Sequence, residues 1–282
     1  MYNFPIGVII DSFRTDLVSA VKKAAEVGAQ GIQVYATSGE TAPENMNAAK
    51  RRAFAGLVAD NGLVISALCG DLGGGGFAFP QNNPPKIEKS KRIIELAKEL
   101  GTDIVTTHIG VVPEDTSSDR YKVMQEACFE LSRCADELDA HFAIETGPET
   151  SATLKVFLDS LGSNGVGVNL DPANLVMVTG DDPAGAVYNL RDYIVHTHAK
   201  DGRQNFYVDP DIIYGMKSSD IVTSDSFIEV PLGEGSVDWD KYLSALEDIG
   251  YKGFLTIERE VGDDPEKDIR KAVSFLKEKM GA

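Results

Sequence analysis

The sequence predicts one domain over residues 1–282, a single (β/α)8 TIM barrel, and three observations support this fold class. Short β-branched segments recur along the chain, and a longer amphipathic segment follows each of them. The clearest helical segments end at a glycine, and the next strand begins within a few residues. Successive strand ends lie one ordinary βα unit apart, except for the last pair. Because no change of composition divides the series, one barrel is favoured over two domains, with a doubly wound open sheet as the alternative.

Eight segments have the continuous apolar character of parallel strands that are covered by helices. These predicted strands are residues 6–10, 31–35, 63–68, 103–107, 141–144, 165–170, 193–197 and 253–257. Amphipathic helices are predicted between them. The clearest helices are residues 16–27, 87–100 and 239–249, which end at Gly28, Gly101 and Gly250.

The segment after the seventh strand is longer than a barrel loop needs to be. The residues that follow the last two strands, His198 and Glu258, are 60 positions apart, and the excess lies in residues 201–235. A long βα loop in a barrel usually serves as an active-site lid or as a subunit contact. Apolar residues are unusually frequent in its first half, at Phe206, Tyr207, Ile212, Ile213 and Tyr214. We therefore expect this loop to fold over the mouth of the barrel or onto a second subunit.

Composition limits the partners and the compartment. A net charge of −17 argues against a nucleic-acid surface and against an anionic membrane surface, since both need clustered lysine and arginine. Three cysteines without a Cys-x-x-Cys pair indicate reduced thiols rather than a disulfide framework. The first residues contain no signal-peptide pattern, and no long apolar segment occurs. We expect a cytoplasmic protein that acts on a small substrate and forms a homo-oligomer, a dimer or a tetramer.

Ligand-type side chains follow four successive predicted strands. They are Glu145, Asp171, His198 and Glu258. The carboxyl ends of parallel barrel strands meet on one face, so these side chains are expected to converge. Three crowded carboxylates would repel one another unless a cation lies among them. A set rich in oxygen ligands suits one Mn²⁺, Mg²⁺ or Co²⁺ ion, and Zn²⁺ also accepts it. The alternative for any single residue is a helix cap, a loop salt bridge or, for Asp171 before Pro172, a turn.

Four stretches carry a resemblance to a known superfamily. They are AIETGPET at 143–150, NLDPANL at 169–175, HTHAKDG at 196–202, and 231–260, which runs from PLGEG to IERE. With them, the chain resembles the sugar isomerase/epimerase superfamily with xylose-isomerase-like barrels. That superfamily includes ketose 3-epimerases, inosose dehydratases, hydroxypyruvate isomerases and, more distantly, endonuclease IV. The resemblance covers nearly the whole chain, but these motifs do not fix the reaction.

The resemblance implies roles for individual residues. The four residues after the strands align with the superfamily's metal ligands, for which Mn²⁺ is the first expectation. Glu145 and Glu258 align with the acid/base pair of the epimerases. The metal is then expected to polarise the substrate carbonyl and to stabilise the enediolate that proton removal leaves. Glu260 is an alternative to Glu258 as the metal ligand from this strand, since strand alternation points both side chains the same way.

Three weaker candidates for substrate binding are His108, Glu149 and Lys200. His108 ends the fourth strand and is expected to face the mouth, with a buried structural role as the alternative. Glu149 follows Glu145 by four residues and either binds substrate or begins the next helix. Lys200 resembles the lysine of the superfamily's His-x-Lys-Asp motif, and a surface ion pair with Asp201 is the alternative.

The leading function is a divalent-metal-dependent sugar or polyol isomerase/epimerase. Two departures leave the substrate open, because ketose 3-epimerases often carry histidine and arginine where this chain has Asn174 and Gln204. A metal-dependent lyase is the main alternative, either similar to inosose dehydratase or cleaving C-glycosides of 3-keto sugars. A DNA repair enzyme similar to AP endonucleases is more remote, since four histidines and an acidic chain do not suit it. A sugar-binding barrel without activity is disfavoured because all four ligands are present.

Overall fold

The computed structural model describes residues 2–221 and 223–281. Within these ranges, eight parallel strands close into a barrel in the order β1-β10-β7-β6-β5-β4-β3-β2. The barrel strands are β1 (Ile6–Ile9), β2 (Gly31–Tyr35), β3 (Val64–Cys69), β4 (Ile104–Thr107), β5 (His141–Glu145), β6 (Val166–Leu170), β7 (Ile194–Ala199) and β10 (Leu255–Ile257). The predicted (β/α)8 barrel is confirmed. The open-sheet alternative is wrong, because β1 pairs with β10 and closes the sheet.

Helices connect the strands, and the longer ones bury one face against the barrel. They are α1 (Leu17–Glu26), α2 (Ala48–Asp60), α3 (Asn83–Leu100), α4 (Asp119–Glu137), α5 (Ser151–Leu161), α6 (Pro172–Asn174), α7 (Pro183–Leu190), α8 (Pro210–Ile213), α9 (Trp239–Asp248) and α10 (Pro265–Met280). The helix α1 shows why these segments are helical. Asp16 caps its first turn by accepting a hydrogen bond from the Ser19 amide, and Val21 and Ala24 face the core. Gly28 then adopts a left-handed conformation that ends the helix, as predicted.

The segment between β7 and α9 contains structure that the sequence did not predict. A two-stranded antiparallel sheet forms there from β8 (Asp201–Gln204) and β9 (Phe227–Val230), and α8 lies between the two strands. Arg120 of α4 pairs with Asp211 of α8 at 2.9 Å and ties the insertion to the barrel. We call the segment from β8 to β9 the hairpin insertion. Phe206 and Tyr207 are exposed, whereas Tyr214 lines the cavity at the barrel mouth.

The barrel interior is polar next to the mouth. Gln33 of β2 donates from Nε2 to the Thr106 hydroxyl of β4 at 2.9 Å, and His196 of β7 contacts the Thr256 hydroxyl of β10 at 2.9 Å. All four side chains are buried, and the His196 Nε2 atom also lies 3.0 Å from Gln33 Oε1, which links β7 with β2 across the barrel. This layer supports the side chains at the strand ends above it. In the described part of the chain, we find no helix that is long and apolar enough to cross a membrane.

Candidate active site

Strand alternation brings the predicted ligands to the inner face of the barrel. Asn169 pairs in register with Glu145 and with His196 of the neighbouring strand. Successive side chains on a strand point to opposite faces, so Asp171 shares the face of Asn169, and His198 shares the face of His196. The β6–β7 register also shifts just before Asn169, and such irregularities often lie beside functional sites.

The four predicted ligands come together in one buried cluster. One potential ligand atom from each of Glu145, Asp171, His198 and Glu258 lies within 4.8 Å of the others. The Nδ1 atom of His198 is at the centre. It lies 3.5 Å from Glu145 Oε1, 3.4 Å from Asp171 Oδ2 and 3.2 Å from Glu258 Oε2. We call these four residues the carboxylate–histidine cluster.

Gln33 contacts the His198 ring and helps to orient it, a role that was not predicted from the sequence. Its Oε1 atom lies 3.2 Å from Nε2 of His198, on the ring edge opposite the carboxylates. When Nε2–H donates to Gln33, Nδ1 is the ring nitrogen that remains to bind an ion among the three carboxylates. A ligating histidine is commonly held in this way by a second hydrogen bond. The only signal in the sequence was an amide within the otherwise apolar strand β2.

Asp171 acts as a helix cap and as a member of the cluster, so the two sequence interpretations are compatible. Its Oδ1 atom accepts hydrogen bonds from the Ala173 and Asn174 amides at 2.8 and 2.9 Å, while Oδ2 faces His198. The capped turn also positions the Asn174 side chain, whose Nδ2 donates to Glu145 Oε1 at 3.1 Å. Gly147 permits this contact, because a Cβ atom there would overlap the Asn174 Cβ atom.

Lys200 holds Glu258 in place on the other side of the cluster. Its ammonium lies 3.0 Å from Glu258 Oε2 and also pairs with Glu260. Lys200 is buried, so the alternative of a surface pair with Asp201 is wrong. Asp201 instead accepts hydrogen bonds from the Gly233 amide and from other groups of the chain. Glu258 belongs to the cluster, whereas the side chain of Glu260 is more than half exposed.

Opposite charges in and beside the cluster lower the pKa of its glutamates and raise the pKa of its histidine. Burial alone would raise the pKa of Glu258, but the Lys200 ammonium and His198 hold it well below its usual range. Burial would likewise raise the pKa of Glu145, and the positive charges of His108 and His198 lower it. Burial would lower the pKa of His198, yet Glu145 and Glu258 raise it well above its ordinary value. Both glutamates are therefore ionised at neutral pH, and the site favours a positive charge at its centre.

The remaining predicted residues lie in two different places. His108 lines the cluster's cavity, with Nε2 at 3.4 Å from Glu145 Oε1. Glu149 lines a second cavity of about 430 Å³ between the β4–α4 loop, the start of α5 and α8. Its Oε2 accepts a hydrogen bond from the Val112 amide at 3.1 Å, and within the described ranges its Oε1 has no hydrogen-bond partner. Burial raises the pKa of Glu149 to about 8.

The donor set fits a divalent metal ion. Three carboxylate oxygens and one imidazole nitrogen face one point, and hydrogen bonds orient each of these side chains. Hard divalent ions prefer oxygen-rich sets of this type, and Zn²⁺ accepts them too. Three members of the cluster, Glu145, His198 and Glu258, line a cavity of about 710 Å³ at the carboxyl ends of the strands. The site therefore has room for a substrate beside a bound ion.

Comparison with known proteins shows the family to which this chain belongs. A sequence model of the family described as "Xylose isomerase-like TIM barrel" matches residues 21–279. The chain belongs to this family. The superfamily resemblance predicted from the four motifs is thereby confirmed.

Proteins similar to this chain include a curated enzyme and solved structures. Inosose dehydratase 2 of a Bacillus cereus strain is 26% identical over 179 residues, which cover 58% of this chain and 56% of that protein. The chain thus matches about half the length of this curated relative. A xylose isomerase domain protein from Planctomyces limnophilus has a TM-score of 0.79 at 24% identity, with coverage of 98% and 96%. A D-tagatose 3-epimerase-like protein has a TM-score of 0.74 at 20% identity, with coverage of 99% and 97%. These structural likenesses show a shared fold.

Proposed function

We propose that this protein is a divalent-metal-dependent isomerase or epimerase that removes a proton next to the carbonyl of a sugar or polyol. One observation carries the proposal: Glu145, Asp171, His198 and Glu258 offer ligand atoms within 4.8 Å of one another at the barrel mouth. When bound there, a divalent ion polarises a substrate carbonyl and stabilises the charge that proton loss creates. Mn²⁺ remains the first expectation for its identity.

The two glutamates are suited to moving a proton. They belong to β5 and β10, which β6 and β7 separate in the barrel order, so they approach the cavity from different sides. Glu258 is held as a carboxylate by Lys200 and accepts the proton from carbon. Glu145 receives hydrogen bonds from Asn169 and Asn174. It takes up a proton from His108, whose Nε2 lies 3.4 Å away, and delivers it to the substrate from the other side, and exchange with water then restores both glutamates. This division of roles accounts for inversion at the reacting carbon.

Dehydration is the second candidate, and the inosose dehydratase relative favours it. Elimination begins with the same proton removal, and the pathways diverge only when a hydroxyl leaves the neighbouring carbon. His108 lies 3.4 Å from Glu145 and faces the same cavity, where it would contact such a hydroxyl. A small polyhydroxylated substrate therefore suits both candidates. The expected homo-oligomer and the expected lack of nucleic-acid and membrane partners stay predictions.

Incubation in deuterated water tests the proposal. The protein is stripped with a chelator, reloaded with Mn²⁺, and given ketohexoses, keto-inositols and 3-keto-glycosides. We expect deuterium at the carbon next to the carbonyl of at least one substrate, and only with the reloaded protein. An epimer as product identifies an epimerase, and an unsaturated product identifies a lyase. Exchange that persists in the stripped protein, or no exchange on any substrate, would contradict the proposal.

A further inference from the structure

The cavity above the carboxylate–histidine cluster has two chemically different walls. One wall is polar and contains Glu145, His198 and Glu258 of the cluster, together with Gln33, His108 and Lys200. The opposite wall is formed by the turn after α6 and by the hairpin insertion. It consists of Met177, Val178, Tyr214, Phe227 and Ile228, which we call the apolar wall. Both walls belong to one cavity of about 710 Å³, a size typical of sites for drug-sized ligands of mixed polarity.

The apolar wall is built by specific contacts. Residues Leu175–Thr179 form a π-helical turn, a geometry that is common at functional sites. Gln204 of β8 donates from Nε2 to the carbonyl oxygens of Met177 and Val178, at 3.1 and 3.0 Å. Gly202 gives Met177 room against β8, because a Cβ atom there would overlap the Met177 sulfur. The insertion thus holds the π-helical turn in place, and the side-chain NH2 group of Gln204 is already used in hydrogen bonds to that turn.

Charged side chains near the apolar wall are paired with one another. Arg259 donates from Nη1 to Glu229 at 2.6 Å and from Nε to Asp268 at 2.8 Å. Glu229 also accepts a hydrogen bond from the Glu260 amide, and the Glu260 carboxylate pairs with Lys200. These groups are satisfied within the protein. The surface that this side offers to a ligand is therefore mainly apolar, and Ile228 is 50% exposed there.

We infer that the substrate is a polyhydroxylated compound with an apolar substituent, an aryl or alkyl group, which packs on the apolar wall. The inference rests on the proposed function, since reaction at the cluster places the polyol at the polar wall. A free monosaccharide would leave the accessible part of the apolar wall, at Tyr214, Phe227 and Ile228, in contact with water. An apolar substituent removes that surface from water and adds affinity in proportion to the area buried.

Binding of two unreactive glycosides tests this inference. Phenyl β-D-glucopyranoside and methyl β-D-glucopyranoside differ only in the substituent, and calorimetry with Mn²⁺-loaded protein gives both dissociation constants. We expect the phenyl glycoside to bind about tenfold more tightly or better. Ile228→Ser should reduce this preference about threefold or more. Ile221→Ser is the matched control, because Ile221 is equally exposed in the same insertion but is not among the described residues that line the cavity.

The outcomes separate this inference from the proposed function. Equal affinities, or no binding of either glycoside, would overturn the inference, and so would equal effects of the two serine substitutions. Binding requires no turnover. A preference for the phenyl glycoside without any deuterium exchange would therefore support the binding of an apolar substituent and contradict the proposed function. Deuterium exchange on small ketoses together with equal glycoside affinities would support the proposed function and contradict the inference about the apolar substituent. Thermal melting of both variants checks that each one folds.

Discussion

Gln33 and His198 lie 165 positions apart in the chain, and Gln33 Oε1 is 3.2 Å from His198 Nε2 inside the barrel. The glutamine is itself fixed, since its Nε2 donates to Thr106 at 2.9 Å. This contact leaves Nδ1 of His198 to face the three carboxylates. A residue on β2 thus controls the geometry of a site whose predicted members all lie on later strands.

We predict that Gln33→Ala weakens metal binding about 10- to 100-fold, because His198 loses the acceptor that orients its ring. Gln33→Glu keeps an acceptor at this position and should retain most of the affinity. Titration of the chelator-stripped proteins with Mn²⁺ measures both dissociation constants. If the two variants lose affinity equally, the hydrogen bond to His198 is not the cause.

His198→Ala should lower the metal content from about one ion per chain to nearly none after dialysis, because the cluster loses its central ligand. His141→Ala is the matched control. His141 begins β5 and lines a cavity with residues at the starts of β4 and β7. Elemental analysis of the purified proteins gives the comparison. Equal metal content in the two variants would refute the assigned ligand set.

Glu149 should make the protein less stable as the pH rises. Burial raises its pKa from 4.5 to about 8, so in this window the unfolded chain ionises the group while the folded protein keeps it protonated. Stability is therefore greatest below pH 4.5, as far as this group contributes, and is lost as the pH rises to about 8. Glutamine at this position cannot ionise, so Glu149→Gln removes this loss of stability. The Tm of the variant minus the Tm of the unsubstituted protein should therefore be on the order of 5 °C larger at pH 8 than at pH 5.

Glu114→Gln is the control for this measurement, since Glu114 lines the same cavity but is exposed. Its Tm difference from the unsubstituted protein should not change with pH. Calorimetric melting at closely spaced pH values checks both variants. A constant Tm difference for Glu149→Gln over this range would show that Glu149 ionises normally in the folded protein.

The convergence of the four predicted ligands could be foreseen from the sequence, whereas the residues that support them could not. Glu145 and Asp171 follow apolar strands, and parallel strands in a barrel bring such positions to one face. The role of Gln33 depends on which side chains meet across the barrel, and strand periodicity does not specify that. The hairpin insertion was missed because β8, Asp-Gly-Arg-Gln, lacks the β-branched alternation that marks a strand. Glu149 was predicted either to bind substrate or to begin the next helix, and periodicity did not specify that its side chain lines the second cavity.

The central claim is that Glu258 removes a carbon-bound proton at this cluster, and hydrogen exchange with deuterated water in Glu258→Gln tests it most directly. Glu260→Gln is the matched control, because Glu260 also pairs with Lys200 but lies outside the cluster. Both variants are compared at saturating Mn²⁺ with confirmed metal content. We predict that Glu258→Gln lowers exchange at the carbon next to the carbonyl by about 1,000-fold or more, while Glu260→Gln keeps most of it. Full exchange in metal-loaded Glu258→Gln would contradict the account.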